Sequence, residues 1–292
     1  MIDGSTEVYG IIGSPLTSTI SPYLHNHWFK QQNRNAIYIP FVVGSNSLKK
    51  AVEGLQALSI VGVNVTMPLK RLVVNYLDDL EPEVQSMNVA NVVYNKDGRL
   101  HGYNTDVTGI ELALSSSGHC ISSSICIIIG AGGAARAALY YVLKKGYRTI
   151  YIVNRSIQNA KEMASESHLY DKRNYETHII PFSDLRSLKN NEADLLINAS
   201  SIGMIGYPDE IPDISQVLHP GMTVFDMVYN PVHTLLMQRG MNAGCLIVSG
   251  LKMLLFQAVE TQKIWFGLCD DTCKKYYEEA EATIMEMMSI GK

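Results

Sequence analysis

A run of five apolar residues, Ile125-Cys126-Ile127-Ile128-Ile129, leads directly into Gly130-Ala131-Gly132-Gly133-Ala134-Ala135, and a series of helix formers follows. No other stretch restricts the fold so tightly. A short continuous apolar run suits a strand buried on both faces, as in a parallel sheet. One glycine permits the tight turn, and another lets backbone approach a pyrophosphate. The helix start adds free N–H groups and a partial positive charge. A lone glycine triplet is weak evidence, and a tight structural turn is its other reading. Between strand and helix in a βαβ unit, it points to a dinucleotide.

The next apolar segment ends Ile152-Val153-Asn154-Arg155-Ser156. NAD-specific sites place an acid here for the ribose 2′-hydroxyl. This chain has none. Arg155 offers a planar cation that can pair with a 2′-phosphate, and Asn154 and Ser156 add hydrogen-bonding groups. NADP is therefore expected over NAD, unless Arg155 is only a solvated arginine at a strand end.

The rest of the chain repeats this alternation. Candidate strands lie at 8–12, 36–43 and 60–65, with a helix at 47–58 between the last two. A second series follows at 125–129, 149–153, 178–180, 194–197, 223–225 and 246–248. Helices are expected at 134–145, at 234–243, from Gly250 onward and near 273–288. The lysines and glutamates of that last helix read as a solvated face. Strands alternating with helices predict parallel sheets covered on both faces. An interdomain crossing is expected shortly before the serine-rich stretch 115–124.

Composition excludes several classes. The 292 residues, 47% of them apolar, suffice for two domains with real cores. A net charge of −4 provides no basic stripe for nucleic acid. No apolar run is long enough for a bilayer, and Met1-Ile2-Asp3-Gly4-Ser5 does not begin a signal peptide. Five cysteines without a framework spacing fit a reducing, cytoplasmic setting. Cys269 and Cys273 have no partner ligands nearby in sequence, so no metal is expected.

Three polar clusters stand out in the first third. The first, Thr17-Ser18-Thr19-Ile20-Ser21-Pro22, followed by His25, holds hydroxyls that can bind a carboxylate. Local chemistry alone makes it a capped helix start. The second, Asn64-Val65-Thr66-Met67-Pro68-Leu69-Lys70, closes an apolar strand, where open α/β sheets bind ligands. Lys70 can exchange a proton at a reacting oxygen, but standing alone it reads as an exposed lysine. The third, Gly102-Tyr103-Asn104-Thr105-Asp106, follows a turn at Lys96-Asp97-Gly98, and Asp106 by default is a helix cap. Asn91 lies between the second and third.

In this order the segments resemble the shikimate dehydrogenase family. Two hydroxyl residues precede or flank a proline (Thr19 and Ser21), then come Asn-Val-Thr-x-Pro-x-Lys (Asn64 to Lys70) and Gly-x-Asn-Thr-Asp (Gly102 to Asp106). The glycine loop and Asn154-Arg155-Ser156 follow. Asn198-Ala199-Ser200-Ser201-Ile202-Gly203-Met204, Asp226-Met227-Val228-Tyr229-Asn230-Pro231 and the stretch from Gly250 to Gln257 complete the series. One such motif is weak; the ordered set is specific.

The resemblance implies a substrate domain at 1–110, a Rossmann-type doubly wound NADP domain at 111–248, and C-terminal helices at 249–292 packing back toward the substrate domain. It implies an active site in the cleft between the two domains. It makes Lys70 and Asp106 the catalytic pair. Thr19, Ser21 and Tyr229 would hold a substrate carboxylate, and Asn64, Thr66, Asn91 and Gln257 the ring oxygens. Gly130, Ala131, Gly132, Gly133, Ala134, Asn154, Arg155, Ser156, Ser200, Met227 and Gly250 would line the NADP site. The implied activity is reversible NADPH-dependent reduction of 3-dehydroshikimate to shikimate, with a homodimer allowed. The chain departs from the family pattern at Thr19 (commonly serine), Val92 (commonly threonine) and Lys252 (commonly glycine). A second basic residue, common shortly after the arginine, is replaced by Asn159, with Lys161 two positions on. Two other readings stay open: a paralogue acting on quinate or another cyclic hydroxy acid, and a nucleotide-sensing module without turnover.

Overall fold

The computed structural model describes residues 2–17, 19–169, 173–188, 192–207, 211–212 and 214–290. Ser18 of the first hydroxyl cluster lies outside them. The chain divides into two compact units, Met1–Thr105 with Gln257–Lys292, and Asp106–Phe256.

The first unit contains β1 (Glu7–Gly13), α1 (Ser21–Gln31), β2 (Ala36–Val42), α2 (Leu48–Ala57) and β3 (Gly62–Val65). It continues with β4 (Asp79–Leu80), α3 (Pro82–Met87), β5 (Val92–Lys96) and β6 (Arg99–Tyr103). The strands form one sheet in the order β2-β1-β3-β5-β6-β4. Period-two alternation assigns each face its own core. Ile12, Val63, Val65 and Val93 pack with Leu48, Val52 and Leu55 of α2. Tyr9, Ile11, Tyr38 and Val92 pack on the other face with Phe29 of α1 and Trp265.

The sequence pattern predicts a wholly parallel sheet here, and the structure is mixed. The strands β3, β5 and β6 run antiparallel to one another in turn. The cause is the turn at Asp97-Gly98, with φ of 53° and 82°. Two consecutive left-handed residues are what a two-residue hairpin of matching twist requires.

The second unit holds α4 (Asp106–Ser116), β7 (Ile125–Ile129), α5 (Gly133–Lys145), β8 (Thr149–Asn154), α6 (Ile157–Glu166) and β9 (Glu176–Pro181). After these come β10 (Leu195–Asn198), β11 (Thr223–Asp226), α7 (Leu235–Asn242) and β12 (Leu246–Ser249). The sheet order is β12-β11-β10-β7-β8-β9, parallel throughout. The order reverses between β7 and β10, the switch point at which doubly wound sheets bind ligands. This is the expected Rossmann-type arrangement. The helix α8 (Gly250–Phe266) begins in this unit and ends in the first, where α9 (Asp270–Ile290) follows. No helix among the described residues is long and apolar enough to cross a membrane.

In the first unit, α8 is registered against β3. Residues 62 and 64 project from the same face of the strand, ~6.6 Å apart. Residues 265 and 261 are one helical turn apart, about 6 Å. Gly62 thus meets Trp265, and Asn64 meets Thr261. A Cβ at Gly62 would lie 2.4 Å from the Trp265 indole nitrogen. Gly62→Ala is therefore predicted to destabilise the protein by roughly 1–3 kcal/mol, the usual range for overpacking. Urea unfolding tests this, and an unchanged midpoint contradicts the register.

Candidate active site

The glycine loop leaves β7 where β10 also ends. Gly130 adopts φ of 116°, and a Cβ there would lie 2.9 Å from the Ala199 carbonyl oxygen. Glycine is required on both counts. Gly132 caps α5 without a side chain to occupy the helix N–H groups. A Cβ at Gly132 would meet nothing within 4 Å. The first N–H groups of α5, from Gly133 and Ala134 onward, have no intrahelical acceptors. Open space and free donors at a helix N-terminus suit a pyrophosphate. Ala131, half-buried, links the two glycines.

At the end of β8, the Asn154 amide donates to the Ser156 carbonyl at 2.9 Å, and the Ser156 hydroxyl accepts from the Asn159 N–H at 3.3 Å. Arg155 is exposed between them. This turn carries no carboxylate, so it suits a 2′-phosphate.

Across the switch point, Ser200 Oγ donates to Asn198 Oδ1 at 2.6 Å. Asn198 Nδ2 donates to Asp226 Oδ1 at 2.9 Å, and the Met227 N–H donates to the Asn198 carbonyl at 3.0 Å. Gly250 packs so closely that a Cβ would lie 2.4 Å from the Met227 carbonyl. Ser200, Met227 and Gly250 therefore form one rigid patch beside the loop. Tyr229, half-buried nearby in sequence, has its phenol pushed up by burial.

The first unit gathers a second polar group. Thr19 and Ser21 stand at the start of α1, where Pro22 occupies the first turn. Local sequence suggests a cap. The N-cap position is Ile20, which makes no side-chain bond, and the Thr19 hydroxyl one position before it accepts the Ser21 N–H at 3.4 Å and donates to Ser21 Oγ at 3.3 Å. Asn64 on β3 donates through Nδ2 to Thr261 Oγ1 at 3.2 Å. Asn91 Nδ2 donates to Thr105 Oγ1 at 3.0 Å, and Asn91 Oδ1 accepts the Thr105 N–H at 2.7 Å. Thr105 Oγ1 lies 3.5 Å from Gln257 Oε1 and 3.4 Å from Thr261 Oγ1.

Asn64, Asn91 and Gln257 thus belong to one network, knitted by Thr105 and Thr261. Thr66 presses its methyl against Gly13, where a Cβ would lie 2.4 Å away. Lys70, half-exposed, is held by its carbonyl, which accepts the Ala90 N–H at 2.9 Å. Asp106 is buried as the first residue of α4, where the helix dipole favours a carboxylate. Tyr38 and Thr261 complete the network and carry no motif. Thr261 could have been found as the helical neighbour of Gln257, four residues on.

Residues 11–93 match the family described as shikimate dehydrogenase substrate binding domain, and residues 111–215 match shikimate/quinate 5-dehydrogenase. A curated relative from Methanothermobacter thermautotrophicus, shikimate dehydrogenase (NADP(+)), is 39% identical over 269 residues, covering 91% of this chain and 93% of that one. A solved shikimate dehydrogenase in complex with NADP+ superposes with a TM-score of 0.80 at 32% identity, covering 96% and 97%. A Listeria monocytogenes shikimate 5-dehydrogenase in complex with shikimate and NAD gives 0.80 and 32%, covering 94% and 97%.

The Asp226 carboxyl beneath the patch is pushed up to about 6 by burial, against hydrogen bonds from Thr234, Val228 and Asn198. A raised folded value means stability present at low pH is lost as pH rises from about 4 through 6. Asp226→Asn can keep the network by donating to the Thr234 hydroxyl. Its stability relative to the parent is predicted to improve by roughly 2–3 kcal/mol between pH 4 and pH 7. Urea unfolding at both pH values checks this; a pH-independent difference contradicts it.

Proposed function

The chain belongs to the shikimate dehydrogenase family and carries its activity, the NADP-dependent interconversion of 3-dehydroshikimate and shikimate, and we propose that Lys70 and Asp106 are the pair that performs it. The observation that carries this assignment is the double hydrogen bond between Asn91 and Thr105. Asn91 follows Ala90, whose N–H fastens Lys70, and Asp106 follows Thr105 directly. The Lys70 backbone is thus bonded to the neighbour of one half of the clamp, and Asp106 is the next residue after the other half.

On this reading, bound NADPH supplies a hydride to the ketone carbon. The Lys70 ammonium donates a proton to the ketone oxygen, or holds the alkoxide as charge develops there. Asp106 keeps that ammonium and the substrate hydroxyl in place. Thr19, Ser21 and Tyr229 take the substrate carboxylate, which fixes the ring's orientation. Asn64, Thr66, Asn91 and Gln257 take the ring oxygens. The α5 N-terminus and residues 130–134 hold the pyrophosphate, and Asn154, Arg155 and Ser156 the 2′-phosphate. Ser200, Met227 and Gly250 would also contact the bound cofactor. Residues 1–110 with 249–292 act as the substrate domain and 111–248 as the cofactor domain. The five free cysteines suit a cytoplasmic enzyme.

Initial rates with shikimate and quinate, each with NADP and NAD, test the substrate reading. Turnover of shikimate with NADP supports it, and turnover of another pair alone refutes it. Lys70→Ala is predicted to lower kcat by roughly 10²–10⁴-fold, the range for lost acid–base catalysis. Near-normal turnover removes Lys70 from the mechanism. Arg155→Ala should raise KM for NADP more than for NAD, and equal effects on both refute the 2′-phosphate contact.

A further inference from the structure

Tyr38 lies on β2, buried to 1% exposure. Its hydroxyl donates to Asn64 Oδ1 at 2.8 Å. Burial pushes the Tyr38 phenol up, with the Ser21 side chain acting in the opposite direction, and Thr19 donates to Ser21 Oγ at 3.3 Å.

Asn64 is held from its other end as well. Its Nδ2 donates to Thr261 Oγ1, and the Thr261 proton goes to the Gln257 carbonyl at 2.9 Å. A flipped amide exchanges its donor and acceptor ends. In that state the Tyr38 hydroxyl would have to turn its proton away, and the Thr261 hydroxyl would have to give up its bond to the Gln257 carbonyl to donate. The observed orientation of Asn64 satisfies both anchors with no such exchange.

The phenol itself is fixed by packing. His25 stacks on the Tyr38 ring at 4.4 Å with planes 5° apart. Gln262 Nε2 lies 2.7 Å from His25 Nδ1, which holds the imidazole. Burial lowers the His25 value to about 3, so it stays neutral at working pH.

We infer that Tyr38 is a positioning residue for substrate. Its hydroxyl, at 2.8 Å from Asn64 Oδ1, sets the amide of Asn64, so that the ring-oxygen contact there keeps one orientation. This rests on the assignment of Asn64 to the substrate.

The test measures kcat, KM for shikimate and KM for NADP in Tyr38→Phe, Asn64→Ala, Thr261→Val and the Tyr38→Phe/Asn64→Ala double variant. Phenylalanine preserves the stack on His25 and removes only the hydroxyl. Tyr38→Phe is expected to raise the shikimate KM roughly three- to tenfold, the effect of one hydrogen bond, with kcat and the NADP KM unchanged. In the Asn64→Ala background it should add nothing. Thr261→Val removes the opposite anchor and should raise the shikimate KM alone; it carries the test if Tyr38→Phe does not fold. An unchanged shikimate KM in Tyr38→Phe, a parallel rise in both KM values, or an undiminished effect on top of Asn64→Ala overturns the inference. An unchanged KM in Thr261→Val does the same. If Asn64→Ala itself leaves the shikimate KM unchanged, the substrate assignment falls and this inference with it.

Discussion

Asn91 and Thr105 hold each other through both ends of one amide, and both residues are buried. Losing either partner would leave buried donors or acceptors unpaired, at a cost of about 1–3 kcal/mol per group. Asn91 immediately precedes β5, and Thr105 comes shortly after β6. The pair therefore closes the open end of the hairpin whose tip is Asp97-Gly98. The Asn91 N–H adds a third tie, to the Tyr103 carbonyl at 3.0 Å. The antiparallel excursion makes physical sense as a return path. It brings the chain back beside the end of β3, so that Asn64, Asn91 and Thr105 meet and the chain can enter α4 at Asp106.

The second unit solves a different problem, how to bring backbone close to backbone. Gly130 stands against Ala199, and Gly250 against Met227, each with no room for a side chain. These contacts draw the ends of β7, β10 and β11 and the start of α8 into one surface. The polar groups beneath are fully used. Asn198 serves Ser200, Ile202 and Asp226, while Asp226 also takes Thr234 and Val228. An interior with paired groups has one arrangement of low energy. A rigid floor of this kind suits a cofactor that must be presented in one orientation.

Most of this was legible where the determinant was local. The parallel second sheet follows from buried apolar runs separated by helical patterns. The turn at Gly130 follows from glycine's place between strand and helix. The hairpin was half legible, since Lys96-Asp97-Gly98 read as a turn while Val92–Lys96 and Arg99–Tyr103 did not read as strands. The first does not alternate cleanly, because Val92 and Val93 are both buried; the second alternates, but its two buried positions are Leu100 and Gly102, a pair that carries little apolar signal. Local chemistry assigns the hydroxyls before α1 to a cap, and Thr19 does accept the Ser21 N–H, from one position ahead of Ile20. Tyr38 was not legible at all, and Thr261 only through its place one helical turn from Gln257. Each works through a contact with a residue distant in the chain, 26 positions away for Tyr38 and Asn64 and 197 for Asn64 and Thr261. A lone tyrosine in an apolar strand has no local mark of such a role.

Burial also sets how strictly each end of a ligand can be read. Asn64, Asn91, Thr105 and Thr261 are buried and already paired with one another. On the proposed reading, ring oxygens must match donors and acceptors whose directions these pairs already fix. Sites built to hydrogen-bond a substrate reject analogues that lack the partner by large factors. Arg155 works under the opposite condition. It is exposed, and water and salt screen an exposed pair to a small fraction of its buried strength. A 2′-phosphate contact at Arg155, as proposed, would therefore tilt the choice between NADP and NAD rather than make it absolute. With the proposed assignments, strict reading of a cyclic substrate and graded reading of the cofactor would both follow from where the side chains lie relative to water.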